Sequence, residues 1–86
     1  MSESKYKWMT LGEVLKYEDD IRRNKVSEVA RSSRGFLYNY KIKKTREQMK
    51  DWWSKRDAFI SRHLAQYKSN PTPRRRLALI AWAYNP

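Results

Sequence analysis

Two helix patterns meet at a proline-marked turn, and this pairing constrains the architecture more than any other feature of the chain. Met49, Trp52, Trp53, Arg56, Phe59, Ile60, His63, Leu64 and Tyr67 recur at three-four spacing, which places them along one stripe of a helix. Thr45 with Gln48 three residues on supplies a capping box to start that helix. Ser69-Asn70-Pro71 stops it, because proline disfavours the α region in the residue before it. Thr72 then caps a further helix, and Pro73 takes its first position, where a missing N–H is harmless. From Leu77 to Tyr84 the pattern is apolar nearly all round, the mark of a helix buried within a domain. A striped helix and an all-round apolar helix each need the cover that the other supplies. The expectation is an all-α fold: one compact domain of four to five helices with a buried C-terminal helix. Its expected core is Trp53, Phe59, Ile60, Leu64, Leu77, Ile80, Ala81 and Tyr84.

Size and composition sharpen this. With 86 residues and no cysteine, the chain is near the limit at which one apolar core suffices, and neither disulfides nor thiolate-held metal can assist it. Four Trp, six Tyr and two Phe must carry much of the burial, and aromatic side chains bury large areas. Their number and even spread argue against a disordered chain. Residues 1–9 read as an N-terminal arm whose Tyr6, Trp8 and Met9 pack back onto a helical domain spanning 10–86. The opening residues carry an early acid and no apolar run, unlike a secretory signal.

Within the domain, Thr10 and Glu13 form a capping box. Leu11, Val14, Leu15 and Ile21 continue a stripe to a helix end near Arg23 or Asn24. A second stretch carries Val26, Val29 and Ala30, and Ser32-Ser33-Arg34-Gly35 interrupts it; glycine inside a helix costs about 1 kcal/mol relative to alanine. A short helix holding Phe36, Leu37 and Tyr40 follows, then the basic connector Lys41-Ile42-Lys43-Lys44. No strand-like alternation persists.

The charge is uneven. Residues 1–20 hold three Lys and five acids, while residues 21–86 hold seventeen Lys or Arg against four acids, a balance of +13. Such density opposes compaction and favours a polyanionic partner. Nucleic acid comes first, DNA ahead of RNA, in a cytoplasmic setting. An acidic protein surface is the alternative. No segment is long and apolar enough to span or anchor in a membrane.

Catalytic chemistry has little to stand on, and no enzyme, cofactor, metal or small-molecule substrate is expected. The one histidine, His63, lies on an apolar stripe, where a structural role is the default. Glu18-Asp19-Asp20 reads as a solvated acidic face. No His/Cys/carboxylate set has metal spacing, and the two glycines are too far apart for a phosphate loop. The basic groups offer more. Arg74, Arg75 and Arg76 occupy the first turn of the last helix, where the helix dipole is itself positive. A bound anion relieves that conflict and takes both backbone N–H groups and guanidinium forks. A second set, Arg31, Arg34, Lys41, Lys43, Lys44 and Arg46, interleaves with Phe36, Tyr38 and Tyr40, as suits a phosphate backbone carrying stacked bases. Phe36 and Leu37 belong to the core, which leaves Tyr38 and Asn39 as the exposed candidates.

Two resemblances add to this. Val26-Ser27-Glu28-Val29-Ala30 through Arg34-Gly35-Phe36-Leu37-Tyr38-Asn39-Tyr40 resembles the helix-turn-helix of TetR-type repressors, which run as a Val/Ile-Ala pair, a glycine-containing turn and a Leu-Tyr-x-Tyr recognition helix. The Ala-Gly-Val turn of that family is missing, about three residues short of the usual span. Ala30-Arg31-Ser32, Arg34-Gly35-Phe36-Leu37, Lys55-Arg56-Asp57-Ala58-Phe59-Ile60, Arg62-His63-Leu64, and Pro71 with Arg74-Arg75 and Leu77 to Tyr84 together resemble an uncharacterised family of small basic proteins from bacteriophages and large DNA viruses. That resemblance implies a viral origin, in host cytoplasm or virion, and no activity.

Overall fold

The computed structural model describes residues 6–86, and every regular element among them is helical. In chain order these are α1 (Leu11–Leu15), α2 (Glu18–Asn24), α3 (Glu28–Arg31), α4 (Phe36–Lys43), a 3-10 helix (Glu47–Trp52), α5 (Trp53–Ser69) and α6 (Pro73–Ile80). The fold is all-α, as the periodicity required. Residues 1–5 of the arm lie outside the described part.

Capping chemistry places several boundaries. Thr10 Oγ1 accepts from Glu13 N (3.2 Å) while a Glu13 carboxylate oxygen accepts from Thr10 N (3.0 Å), the reciprocal box that starts α1. Thr72 Oγ1 accepts from Arg75 N at 3.1 Å, with Pro73 opening α6. Elsewhere tertiary packing overrides the local pattern. The helix expected from Thr10 to Asn24 is two helices, because Tyr17 N turns back to Val14 O and Tyr17 leaves helical geometry (φ −103°, ψ 1°). The restart is favourable: Glu18, Asp19 and Asp20 fall in the first turn of α2, where the dipole stabilises carboxylates. The long helix begins at Trp53 rather than Thr45. Thr45 still accepts from Gln48 N at 3.3 Å, but Met49 is non-helical (φ −92°, ψ 21°), and tighter winding buries Met49 completely while the Trp53 indole donates to Arg46 O at 2.9 Å.

The C-terminal segment lies at the centre, though α6 ends at Ile80. Ala81, Trp82 and Ala83 form a buried turn, and Ala83 adopts φ 61°. Around it lie Met9, Val14, Ile21, Val26, Ala30, Phe36, Leu37, Tyr40 and Met49. Of the core expected from sequence, Ile60, Ile80 and Ala81 are buried, and Phe59 and Leu77 pack against the core. Trp53, Leu64 and Tyr84 are only half-buried. The reason is that the C-terminal turn packs against α4 and the arm, which leaves Trp53, Leu64 and Tyr84 at the margin of the core. Trp8 meets Phe36 and Tyr40 with ring centroids 5.6 Å apart in each case, Tyr40 donates its hydroxyl to Met9 O at 2.7 Å, and Met9 N bonds Ala83 O at 2.8 Å.

Candidate nucleic-acid interface

The turn between α2 and α3 is the pivot of the basic surface. Lys25 (φ 53°) and Ser27 (φ 51°) are both left-handed, a conformation that costs a non-glycine residue about 1–3 kcal/mol. Three side chains hold it. The Arg74 guanidinium donates to Asn24 O. Arg31 Nε donates to Val26 O at 2.7 Å. Trp82 Nε1 donates to Ser27 Oγ at 2.6 Å. The turn brings Lys25 beside the N-terminus of α6, where Lys25, Arg74 and Arg75 line a cleft of about 440 Å³ together with His63, Asn70 and Thr72. Among the described residues no carboxylate lines this cleft. Arg75 Nη1 is braced on Asn70 O at 2.8 Å, which leaves the rest of its fork for a ligand. His63 stacks on Phe59 at 3.9 Å and 19°. Burial, and secondarily the charge of Arg62, hold its imidazole below the ordinary histidine range, so at neutral pH the permanent cations of the cleft are the lysine and the two arginines.

Arg76 departs from its neighbours. Its guanidinium lies 5.9 Å from the Tyr17 ring centroid, and Nη2 donates to Asn85 Oδ1 at 3.2 Å. The triplet therefore divides: successive residues on a helix point about 100° apart, and only Arg74 and Arg75 face the cleft.

Part of the second basic set forms another cleft of about 330 Å³, where Arg31 and Lys41 meet Arg22, Ser32, Leu37 and Tyr38. Here an acid intrudes. Glu18 accepts from Lys41 and from Arg22 (3.0 Å), and the Lys41 hydrogen bond is the first cause that holds its carboxyl below the usual range. Tyr38 is 49% exposed. Asn39 instead turns its amide onto the start of its own helix, donating to Gly35 O (2.9 Å) and Arg34 O (3.2 Å). Arg34, Lys43, Lys44 and Arg46 line neither cleft; Lys44 closes α4 in left-handed geometry and Arg46 lies 3.5 Å from the Glu47 carboxylate. In the unit that resembles a helix-turn-helix, α3 is a single turn, and α4 buries Phe36, Leu37 and Tyr40 while exposing Tyr38 and Ile42.

Sequence reasoning passed over Lys25 and Arg22. The run Arg22-Arg23-Asn24-Lys25 was the available signal, but what aims Lys25 at α6 is a backbone conformation that no residue pattern there announces. Among the described residues no three His, Cys, Asp or Glu side chains are grouped to hold a metal ion, and no helix is long and apolar enough to cross a membrane. Comparison with known protein families, with curated proteins and with solved structures finds no match.

Proposed function

We propose that this protein is a small basic nucleic-acid-binding module that acts through phosphate contacts. The observation that carries this is the cleft in which Lys25, Arg74 and Arg75 converge on the N-terminus of α6 with no carboxylate among the described residues that line it. Cations at that end of a helix oppose its dipole, and a phosphate in the cleft turns the opposition into attraction from guanidinium forks and dipole together. The left-handed turn and the braced guanidinium hold the donors before the ligand arrives, so binding orders little. Arg31, Lys41 and Tyr38 extend the surface on the other side of the same turn, weakened by Glu18. DNA is favoured over RNA, and a cytoplasmic viral accessory or regulatory factor without enzymatic activity fits the resemblance to phage and large-virus proteins. The second reading, docking on an acidic protein surface, rests on the same net charge of +11.

Salt dependence separates them. The logarithm of affinity should fall linearly with log salt, at a slope near −0.9 per phosphate neutralised on duplex DNA. Replacing Arg74 and Arg75 together by Gln should flatten the slope by roughly two, whereas Arg76→Gln should change it much less. Fluorescence anisotropy at four or more salt concentrations reads both. Equal binding by the double variant and the parent at every salt concentration would make the acidic-protein reading the leading one.

A further inference from the structure

We propose that the form of nucleic acid this surface takes is a single strand, with an unstacked base in an apolar cavity beside the cationic cleft; this rests on the nucleic-acid reading above. The cavity, about 240 Å³, opens along α5. Val29, Ala58, Phe59 and Trp82 wall it, and Lys55 and Arg62 stand on its lining. Val29 is 59% exposed, an unusual place for a branched apolar side chain on so basic a surface. Lys55 and Arg62 lie two turns apart on one face of α5, about 10 Å along its axis. Neither takes part in an ion pair among the described residues, though Lys55 lies over Trp52 at 5.2 Å.

The apolar cavity and the cationic cleft are two parts of one track. Phe59, in the cavity wall, stacks on His63, in the cleft wall. On the other side Phe59 stacks on Trp82 at 4.8 Å and 24°, and Trp82 donates its indole N–H to Ser27, a cleft residue. The order along the track is thus Lys55 and Arg62, the aromatic and aliphatic wall, His63, then Lys25, Arg74 and Arg75. Cations that follow a backbone, interrupted by an apolar recess, suit a single strand with free bases; because Phe59 and Trp82 are already packed ring on ring, the recess offers a base Val29, Ala58 and ring edges. In a duplex the base faces are already stacked on one another, so the recess would have nothing to receive, and the cations alone would bind it. A strand with free bases gains both.

The test compares a labelled single-stranded oligonucleotide, the same strand with abasic sites, and the corresponding duplex by anisotropy at fixed salt. The parent should bind the intact strand severalfold more tightly than the abasic strand, from the apolar area of the base that the recess covers. Ala58→Leu, at an exposed helix position, should fill the recess, abolish the preference for intact over abasic strand and leave the salt slope unchanged. Val29→Ser, which removes a wall instead of filling the space, should reduce the same preference and guards against a folding defect in the first variant. If the parent binds intact, abasic and duplex forms equally while the Arg74/Arg75 double variant still flattens the salt slope, the single-strand proposal is overturned and the nucleic-acid reading survives. If poly-glutamate binds as tightly as any oligonucleotide, both are overturned.

Discussion

Arg56 shows how one residue can hold together what the chain separates. It is fully buried, and its guanidinium donates to carbonyls at both ends of the chain: Nε to Trp82 O (2.7 Å), Nη2 to Lys7 O (2.6 Å) and Ala83 O (2.9 Å), Nη1 to Tyr6 O (3.0 Å). Its plane also lies over Trp8, 4.1 Å from the ring centroid. Burial lowers its pKa to about 10, partly opposed by the charge of Asp57, so it stays charged at neutral pH. Such a cation is tolerable only because a rigid planar fork meets several acceptors at once. Arg56→Lys offers three donors on a flexible stem, and should lose about 2–4 kcal/mol, read from the urea midpoint. It should not alter the salt slope of nucleic-acid binding under folding conditions, because Arg56 lines none of the basic clefts. In the sequence Arg56 occupies a stripe position between Trp53 and Phe59, which marked it as inward-facing. Its partners were not legible, because carbonyls some 26 to 50 residues away leave no trace in a local pattern.

Among the elements, the α3–α4 hairpin is closed by space rather than by handedness. Gly35 has φ −87°, a value open to any residue. A Cβ there would meet Val29 O at 2.0 Å, Ser32 Oγ at 2.6 Å and Ala30 O at 2.9 Å, and two of these three are backbone atoms that cannot swing aside. Gly35→Ala should therefore displace α3 from α4 and cost about 1–3 kcal/mol or more, as overpacking does, with a fall in melting temperature of roughly 4–8 °C for each kcal/mol in a domain of this size. An unchanged melting curve would show that α3 moves freely. The same contrast explains which elements were legible beforehand. The caps at Thr10 and Thr72 and the stop at Pro71 are chemistry within four residues, and they stand where sequence placed them. The break at Tyr17 and the 3-10 entry to α5 were not legible, because they arise from where Met49 and the acids of α2 settle once the core has formed.

At the scale of the whole molecule, the candidate site is assembled by the fold from pieces that read differently in the chain. Arg74, Arg75 and Arg76 look alike as a triplet, yet one of them faces Tyr17 and Asn85, and its place beside the other two is taken by Lys25 from a distant turn. Polar charge of one sign gathered in this way has a cost that the free protein carries alone. The ion pairs Glu18–Arg22, Asp20–Arg23 and Glu18–Lys41 lie on or near α2, and Arg46–Glu47 at the start of the 3-10 helix, so these pairs relieve little of the repulsion among the cations at the start of α6. Salt should then act in opposite directions on the two states. Screening reduces self-repulsion, with a Debye length of about 30 Å at 0.01 M falling to about 8 Å at 0.15 M, so the melting temperature of the free protein should rise by a few degrees over that range. A bound oligonucleotide stabilises by mass action, and that gain should shrink over the same range as counterion release weakens binding. Thermal scans with and without oligonucleotide at both salt concentrations measure the two trends together, and the curves should converge as salt is added. A free protein that melts lower at 0.15 M than at 0.01 M would mean that its ion pairs outweigh its excess charge, and the dipole conflict at Arg74 and Arg75 would then be too small to favour an anion there.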